Sequence, residues 1–153
     1  MTLNIMGIDP GKEGAIALIS GDPITSRFWL LREVSAQDIQ SIKDNYDVHH
    51  AYVEKAQPMP GQGVCSMFNY GFGFGRLLGW LEAATVPFTL VHPRTWTKEM
   101  HKGCTGKNAK EKSSQAVRQL FPSEKLSLDD KVKLHPGLID ARLIAEYGRR
   151  VFR

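Results

Sequence analysis

Hydrophobic and polar positions alternate over the first third of the chain and then take up helical spacing. In Leu3 to Asp9, Leu3, Ile5, Gly7 and Asp9 share one face while Asn4, Met6 and Ile8 share the other, the period of two that marks a strand. Pro10-Gly11-Lys12-Glu13-Gly14 predicts a turn, and Ala15 to Ser20 a second, apolar strand. Gly21-Asp22-Pro23 turns again into a third strand, Ile24 to Leu31, rich in β-branched and aromatic residues. Turns this short join the three as an antiparallel meander.

Beyond residue 34 the period lengthens. Ser35 predicts the cap of a short helix through Lys43, with Ile39 and Ile42 on one face. Val48 to Glu54 reads as a fourth strand, and Gly61 to Ala84 as a long helical segment. In such a helix Gly71, Gly73 and Gly75 each cost up to about 1 kcal/mol against Ala, which points to close packing on a sheet or on a second subunit. Val86 to Val91 is a fifth strand, and Pro93 opens a short helix containing Trp96. The basic, glycine-containing run Lys102 to Lys112 predicts a mobile loop. Ala109 to Phe121 and Pro136 to Phe152 read as helices, the last with Ile139, Leu143, Ile144, Tyr147 and Val151 on one side. The expected class is α/β, a five-stranded mixed sheet flanked by helices.

A chain of 153 residues fits one domain, 1–153, and needs neither disulfides nor metal to bury a core. Its two cysteines, Cys65 and Cys104, are too few for a disulfide framework and predict reduced thiols. No apolar run reaches the roughly 20 residues of a membrane span, and the strand that begins at Leu3 leaves no room for a signal peptide, so a cytoplasmic location is expected. The net charge of +4 is uneven. Residues 1–93 hold 6 Lys+Arg against 9 Asp+Glu, whereas residues 94–153 hold 14 against 7. A basic C-terminal part suggests a polyanionic partner.

Three carboxylates stand out. Asp9 closes an apolar strand just before a glycine-rich turn, where an aspartate also commonly bonds its own backbone. Glu54 closes the fourth strand, and sites in α/β sheets form at the carboxyl ends of strands. Asp140 lies beside the apolar stripe of the last helix, with Pro136 one turn before it and no Lys or Arg there to pair with it. Acids converging in one cleft repel one another, and divalent ions relieve that repulsion. Oxygen ligands favour Mg²⁺ or Mn²⁺ over zinc, and two such ions about 3.5–4 Å apart suit phosphodiester hydrolysis. His49, His50, His92 and His101 show no helical pairing and read as ordinary surface or half-buried histidines.

These residues also resemble a family. Gly7-Ile8-Asp9-Pro10-Gly11 with Gly14 is similar to the opening of RuvC-type Holliday junction resolvases. Val53-Glu54-Lys55 followed by Pro58-Met59-Pro60-Gly61-Gln62-Gly63 resembles the second acidic segment of their phage and organelle branch. Val91 to Trp96, Gly137 to Ala141 and Ile144 to Arg150 resemble its later blocks, so the likeness spans nearly the whole chain. The resemblance implies an RNase H-like fold and a homodimeric crossover junction endodeoxyribonuclease. Such an enzyme resolves four-way DNA by paired nicks, uses Mg²⁺ or Mn²⁺ with two ions per site, and needs no membrane and no nucleotide cofactor. Carried over by position, Asp9, Glu54 and Asp140 match three of four acidic metal ligands. Where the fourth acid stands in this branch the chain has Pro136, and the adjacent His135 is the candidate substitute ligand. Pro136 suits the first turn of a helix, which makes His135 its cap residue as well. Asp129 and Asp130 are more distant candidates.

For DNA contacts, Lys98, Lys102, Lys107, Lys110 and Lys112 suit phosphates, and Met59 and Gln62 lie in a segment that follows Glu54 toward the crossover. Phe68, Tyr70, Phe72, Phe74 and Trp80 read as core and dimer packing. An actin-like phosphotransferase, which also opens strand, Asp-x-Gly, turn, strand, requires two such domains and more than this length. A junction-binding protein of the same fold, weakened or inactive because of Pro136, is the second reading.

Overall fold

The antiparallel meander and a pair of parallel strands meet at one central strand. The computed structural model describes residues 2–128 and 133–153. Its strands are β1 (Asn4–Asp9), β2 (Ala15–Ser20), β3 (Thr25–Leu30), β4 (His50–Glu54) and β5 (Phe88–Val91). They form one sheet in the order β3-β2-β1-β4-β5. β1, β2 and β3 pair antiparallel, as their short turns require, and β4 and β5 run parallel to β1. The expected five-stranded mixed sheet is therefore present.

The helices are α1 (Ala36–Tyr46), α2 (Val64–Ala83), α3 (Pro93–Met100), α4 (Ala109–Leu120) and α5 (Pro136–Val151). Ser35 caps α1 in a capping box: its hydroxyl accepts from the Asp38 N–H, and the Asp38 carboxylate accepts from the Ser35 N–H. α1 runs past the expected Lys43 to Tyr46, where Asp47 adopts a left-handed conformation and closes it. α2 begins at Val64 and β4 at His50, each later than the pattern suggested. None of the described helices is long and apolar enough to cross a membrane.

Alternation on the strands divides the core in two. Ile5, Ala15, Ala17, Ile19 and Tyr52 face α3, α4 and α5, while Met6, Ile8, Ile16, Leu18 and Val53 face α1 and α2. Each fully buried aliphatic side chain contributes about 1.5–3 kcal/mol, so this two-sided burial holds the sheet as a rigid platform. Gly7 sets how closely α5 lies on it. A Cβ at that position would collide with the backbone of Ala141 and Ala145. α5 therefore rests directly on the middle of β1, and that contact positions everything at the strand's end.

One expectation is narrowed here and one corrected. Of the two meanings open for Gly71, Gly73 and Gly75, packing on the sheet is excluded, because an added Cβ at any of them would meet no atom within 4 Å. The loop before α4 is tied down: the Thr105 and Gly106 N–H groups both donate to Gln115 Oε1, and the Lys107 N–H donates to Glu111. Both cysteines are free thiols, Cys65 exposed and Cys104 half-buried.

Candidate active site

The parallel register of Ile8 with Val53 brings the ends of β1 and β4 side by side, and with them Asp9 and Glu54. Both carboxyls emerge on the face that α3 and α5 cover. Because Gly7 admits α5 so closely, Asp140, the residue before Ala141, sits over the same edge. Asp9, Glu54 and Asp140 are near enough to act on one another's protonation.

Burial dominates their electrostatics, since a carboxylate loses hydration when it leaves water. It raises Asp9 above the usual carboxylate range, partly offset by the Gly11 N–H, which donates to Oδ1 at 3.0 Å. That bond is the local turn contact common for an aspartate in this setting. Burial lifts Glu54 to about 7; the Trp96 indole N–H, donating to Oε2 at 2.7 Å, pulls it down, and Asp9 pushes it up. Asp140 also rises to about 7 through burial and Asp9, against a lowering influence of the Ser113 side chain and a further push from Glu54. Tyr70 shares the field, its phenol raised to about 12 by burial and then by Glu54 and Asp9. No Lys or Arg figures among these influences. Among the described residues, no three His, Cys, Asp or Glu side chains are already gathered around one metal position.

His135 is the cap of α5, as the position of Pro136 at the first turn requires. Its Nδ1 accepts from the Leu138 N–H at 3.3 Å, and its Nε2 lies 3.9 Å from the Glu13 carboxylate. Asp129 and Asp130 lie outside the described residues.

Beside Glu54 opens a cavity of about 830 Å³. Met59 and Gln62 line it, and so do Lys12, Arg32, Lys55 and Arg76. None of these four cations forms an ion pair with another described residue; Arg76 instead lies over the Trp80 ring at 4.9 Å. Lys98, Lys102, Lys107, Lys110 and Lys112 do not line the cavity. Lys102 is engaged with Glu99 at 2.6 Å.

Sequence reasoning missed Tyr70, Trp96, Ser113 and the four cavity cations. Three of these were marked by pattern. Tyr70 lies one turn before the stripe Phe74, Leu77 and Leu81, so its hydroxyl ends an inward-facing row. Ser113 is the polar member of the buried stripe of α4, with Ala116 and Val117, and Trp96 is one of two buried residues on α3. The cations carried no such mark, for they come from four separate segments of the acidic N-terminal part.

Sheet order and flanking helices define an RNase H-like fold, the fold of the RuvC-type resolvases that the sequence blocks resemble. Solved structures share it. Thermus thermophilus RuvC in complex with Holliday junction substrate matches with a TM-score of 0.61 at 15% identity, over 99% of this chain and 97% of that one. The yeast mitochondrial Holliday junction resolvase Ydc2 gives 0.59 at 15% identity, over 97% and 78%. The fowlpox virus resolvase with substrate Holliday junction DNA gives 0.52 at 13%, over 99% and 100%. Neither a protein-family model nor a curated protein sequence matches the chain. At these identities the likeness is one of fold.

Proposed function

We propose that this chain is a structure-selective endodeoxyribonuclease that resolves four-way DNA junctions by metal-dependent phosphodiester hydrolysis, giving paired nicks. The observation that carries this reading is the convergence of Asp9, Glu54 and Asp140, three half-buried carboxyls raised by loss of hydration, with no cation among the groups that shift them. Such a cluster is costly to ionise alone, and its oxygen donors fit Mg²⁺ or Mn²⁺. Asp9, Glu54 and Asp140 would hold the ions, with His135 able to join only through Nε2 because Nδ1 serves the helix. When bound, the ions supply a water nucleophile at neutral pH and charge stabilisation for the scissile phosphate.

The protein's own part is to bind and orient. Lys12, Arg32, Lys55 and Arg76 offer charge to phosphates in the cavity next to Glu54, and Arg76 is steadied on Trp80. The Tyr70 phenol keeps its proton at any working pH and is a donor at the cavity wall. Met59, 64% exposed, is an apolar wedge for unstacked bases at the crossover, and Gln62 a polar contact beside it. Lys98, Lys102, Lys107, Lys110 and Lys112 would meet duplex arms farther out. For paired cuts the reading requires a homodimer. The outer face of α2 suits one: Val64, Phe68 and Phe72 are 82%, 72% and 62% exposed beside glycines that let a second backbone approach.

The second reading, a junction-binding protein with weak or no cleavage, is favoured by Pro136 and by the absence, among the described residues, of a ready-made metal cluster. A synthetic four-way junction with and without Mg²⁺ or Mn²⁺ separates the two. The parent is expected to cut in symmetric pairs with metal, and Asp9→Asn and Glu54→Gln to bind the junction but lose at least a hundredfold in cleavage. Tight binding with no cleavage under either metal selects the second reading. Cleavage of linear duplex just as fast removes junction selectivity.

A further inference from the structure

The cavity beside Glu54 has a gap in its α2 wall that the fold does not account for. Ser66, Asn69, Tyr70, Gly73, Arg76 and Trp80 line the cavity at helical spacing, as one stripe along α2. Gly73 is at the middle of that stripe, with Asn69, Tyr70, Arg76 and Leu77 three or four residues away and so around it on the helix surface. A glycine inside a helix lowers its stability and is kept where something must approach the backbone. An added Cβ at Gly73 would meet no atom within 4 Å, so nothing in this chain makes that approach. Nor does the outer face of α2 explain it: Gly73 lines the cavity, whereas Gly71, Gly75 and Gly79 do not.

The groups around the gap differ in kind. Asn69 forms no hydrogen bond with another described residue, so its amide keeps both a donor and an acceptor to offer. The Arg76 guanidinium lies over two rings, Phe72 at 5.8 Å and Trp80 at 4.9 Å, and Leu77 is a buried apolar edge. An open backbone floor, bordered by an amide, a phenol, a guanidinium and an aliphatic chain, suits a flat ring with polar edges that carries a phosphate. The cavity, about 830 Å³, falls within the range of about 300–1,000 Å³ usual for small-molecule sites and is larger than a phosphate alone requires.

We propose that the Gly73 gap is a pocket for one nucleotide extruded from the branch point: its base lies against the α2 backbone at Gly73, Asn69 reads the base's hydrogen-bonding edge, and Arg76 holds its phosphate. This rests on the reading of the chain as a protein that binds four-way DNA, and it makes Gly73 and Asn69 the determinants of which base is accepted there. Extrusion costs stacking energy, least where pairing is already broken, as at a branch point. A side-chain amide can grip a base edge by two hydrogen bonds at once.

The test uses the full chain and synthetic four-way junctions that carry 2-aminopurine at one branch-point position at a time, in chelator so that binding is read without cleavage. 2-Aminopurine brightens on leaving the stack, and the parent is expected to raise its emission about twofold or more at one position. Gly73→Leu fills the gap with a side chain that starts in open space and favours the helix, so the rise should vanish while the thermal midpoint does not fall. Asn69→Ala, at an exposed position, should weaken the preference among bases there about tenfold, read by competition between junctions that differ only at that position. An undiminished rise in folded Gly73→Leu overturns the proposal, and so does an unchanged base preference in Asn69→Ala. A parent that binds the junction with no rise at any branch-point position overturns it too. Failure of the junction reading shows differently, as a parent that does not bind the junction at all. A single strand carrying 2-aminopurine is then the probe: a rise that Gly73→Leu abolishes keeps the nucleotide pocket, and any other result overturns it.

Discussion

Helix α5 carries two acids withdrawn from water, the half-buried Asp140 and the buried Glu146, that meet opposite fates. Glu146 is surrounded by cations of its own helix: Arg149 at 2.7 Å, Arg150 at 2.9 Å and Arg142 at 3.7 Å. Burial raises its protonation, but the Arg149 and Arg150 bonds outweigh that and hold it below the usual range. Arg142, 1% exposed, also grips Glu124 through Nε at 3.0 Å and stacks over the Phe121 ring at 3.6 Å. Asp140 has no such company, only other acids and a serine, and is driven up to about 7. A buried acid provided with cations is part of the scaffold. One gathered with other acids is, on the proposed reading, completed by a cation from outside the chain.

The contrast breaks most sharply by exchanging the two treatments. Arg142→Met removes the central cation from the half-buried Glu124 and the buried Glu146; the cost is about 3 kcal/mol, at the low end for a broken buried pair because Glu146 keeps Arg149 and Arg150. Asp140→Asn should cost nothing in metal-free protein at pH 8 and even stabilise it. Denaturant midpoints of both variants check this. Equal destabilisation would make Asp140 structural.

The next effect is the pH response, and the two regions give opposite signs. Glu54 and Asp140 have folded values near 7, above their unfolded range near 4, so the folded state binds more protons between them. Their contribution is fully present below about pH 4 and is lost as pH rises through about 7, on the order of a few kcal/mol in all. Glu146, lowered in the fold, contributes above its unfolded value and loses that as pH falls through its folded value. Metal-free stability should therefore fall between pH 5 and 8, and Glu54→Gln with Asp140→Asn should flatten the fall. Mn²⁺ should raise the thermal midpoint more at pH 8 than at pH 5. The same slope in the double variant would place its origin elsewhere.

The two regions were not equally legible. Glu146 is flanked by Arg142, Arg149 and Arg150 at helical spacing, and Asp140 by none, so chain order alone distinguished them. Strand alternation placed Asp9 on the α5 face, and Pro136 announced His135 as a cap. The α2 glycines were open to two meanings, because helical spacing states that a small residue is there and not what lies opposite. The cavity cations were hidden by a different cause. Overall charge pointed to residues 94–153, yet four of the six Lys and Arg before residue 94 line the cavity. Net charge sums over a segment, while a groove selects residues by the fold.

Cations inside and outside the cavity can be compared in the same way. Lys12, Arg32 and Arg76 neutralised together should flatten the salt dependence of junction binding by about 2–3 in log–log slope and slow cleavage as well. Lys107, Lys110 and Lys112 together should affect the slope with less effect on cleavage, since they lie outside the cavity. Binding titrations across a salt series, paired with single-turnover cleavage, distinguish the sets. Identical behaviour of both would remove the special standing of the cavity.

The smallest effect concerns His135, where scaffold and site meet in one side chain. Its Nδ1 accepts the Leu138 N–H, so His135→Ala removes a helix cap and should cost about 1 kcal/mol regardless of any metal. His135→Asn offers a short acceptor at the same position and should recover most of that stability. Asn cannot reproduce the imidazole Nε2, which lies 3.9 Å from the Glu13 carboxylate. If Nε2 completes the ligand set in place of the acid that Pro136 displaces, His135→Asn should weaken Mn²⁺ binding about tenfold and Mg²⁺ binding less, because Mn²⁺ accepts nitrogen more readily. Pro136→Asp should then raise Mg²⁺ affinity and make His135→Asn nearly silent, as an acid suits both the ion and the first turn of a helix. Full retention of Mn²⁺ affinity in His135→Asn makes the histidine a cap alone, with Asp9, Glu54 and Asp140 as the whole protein contribution.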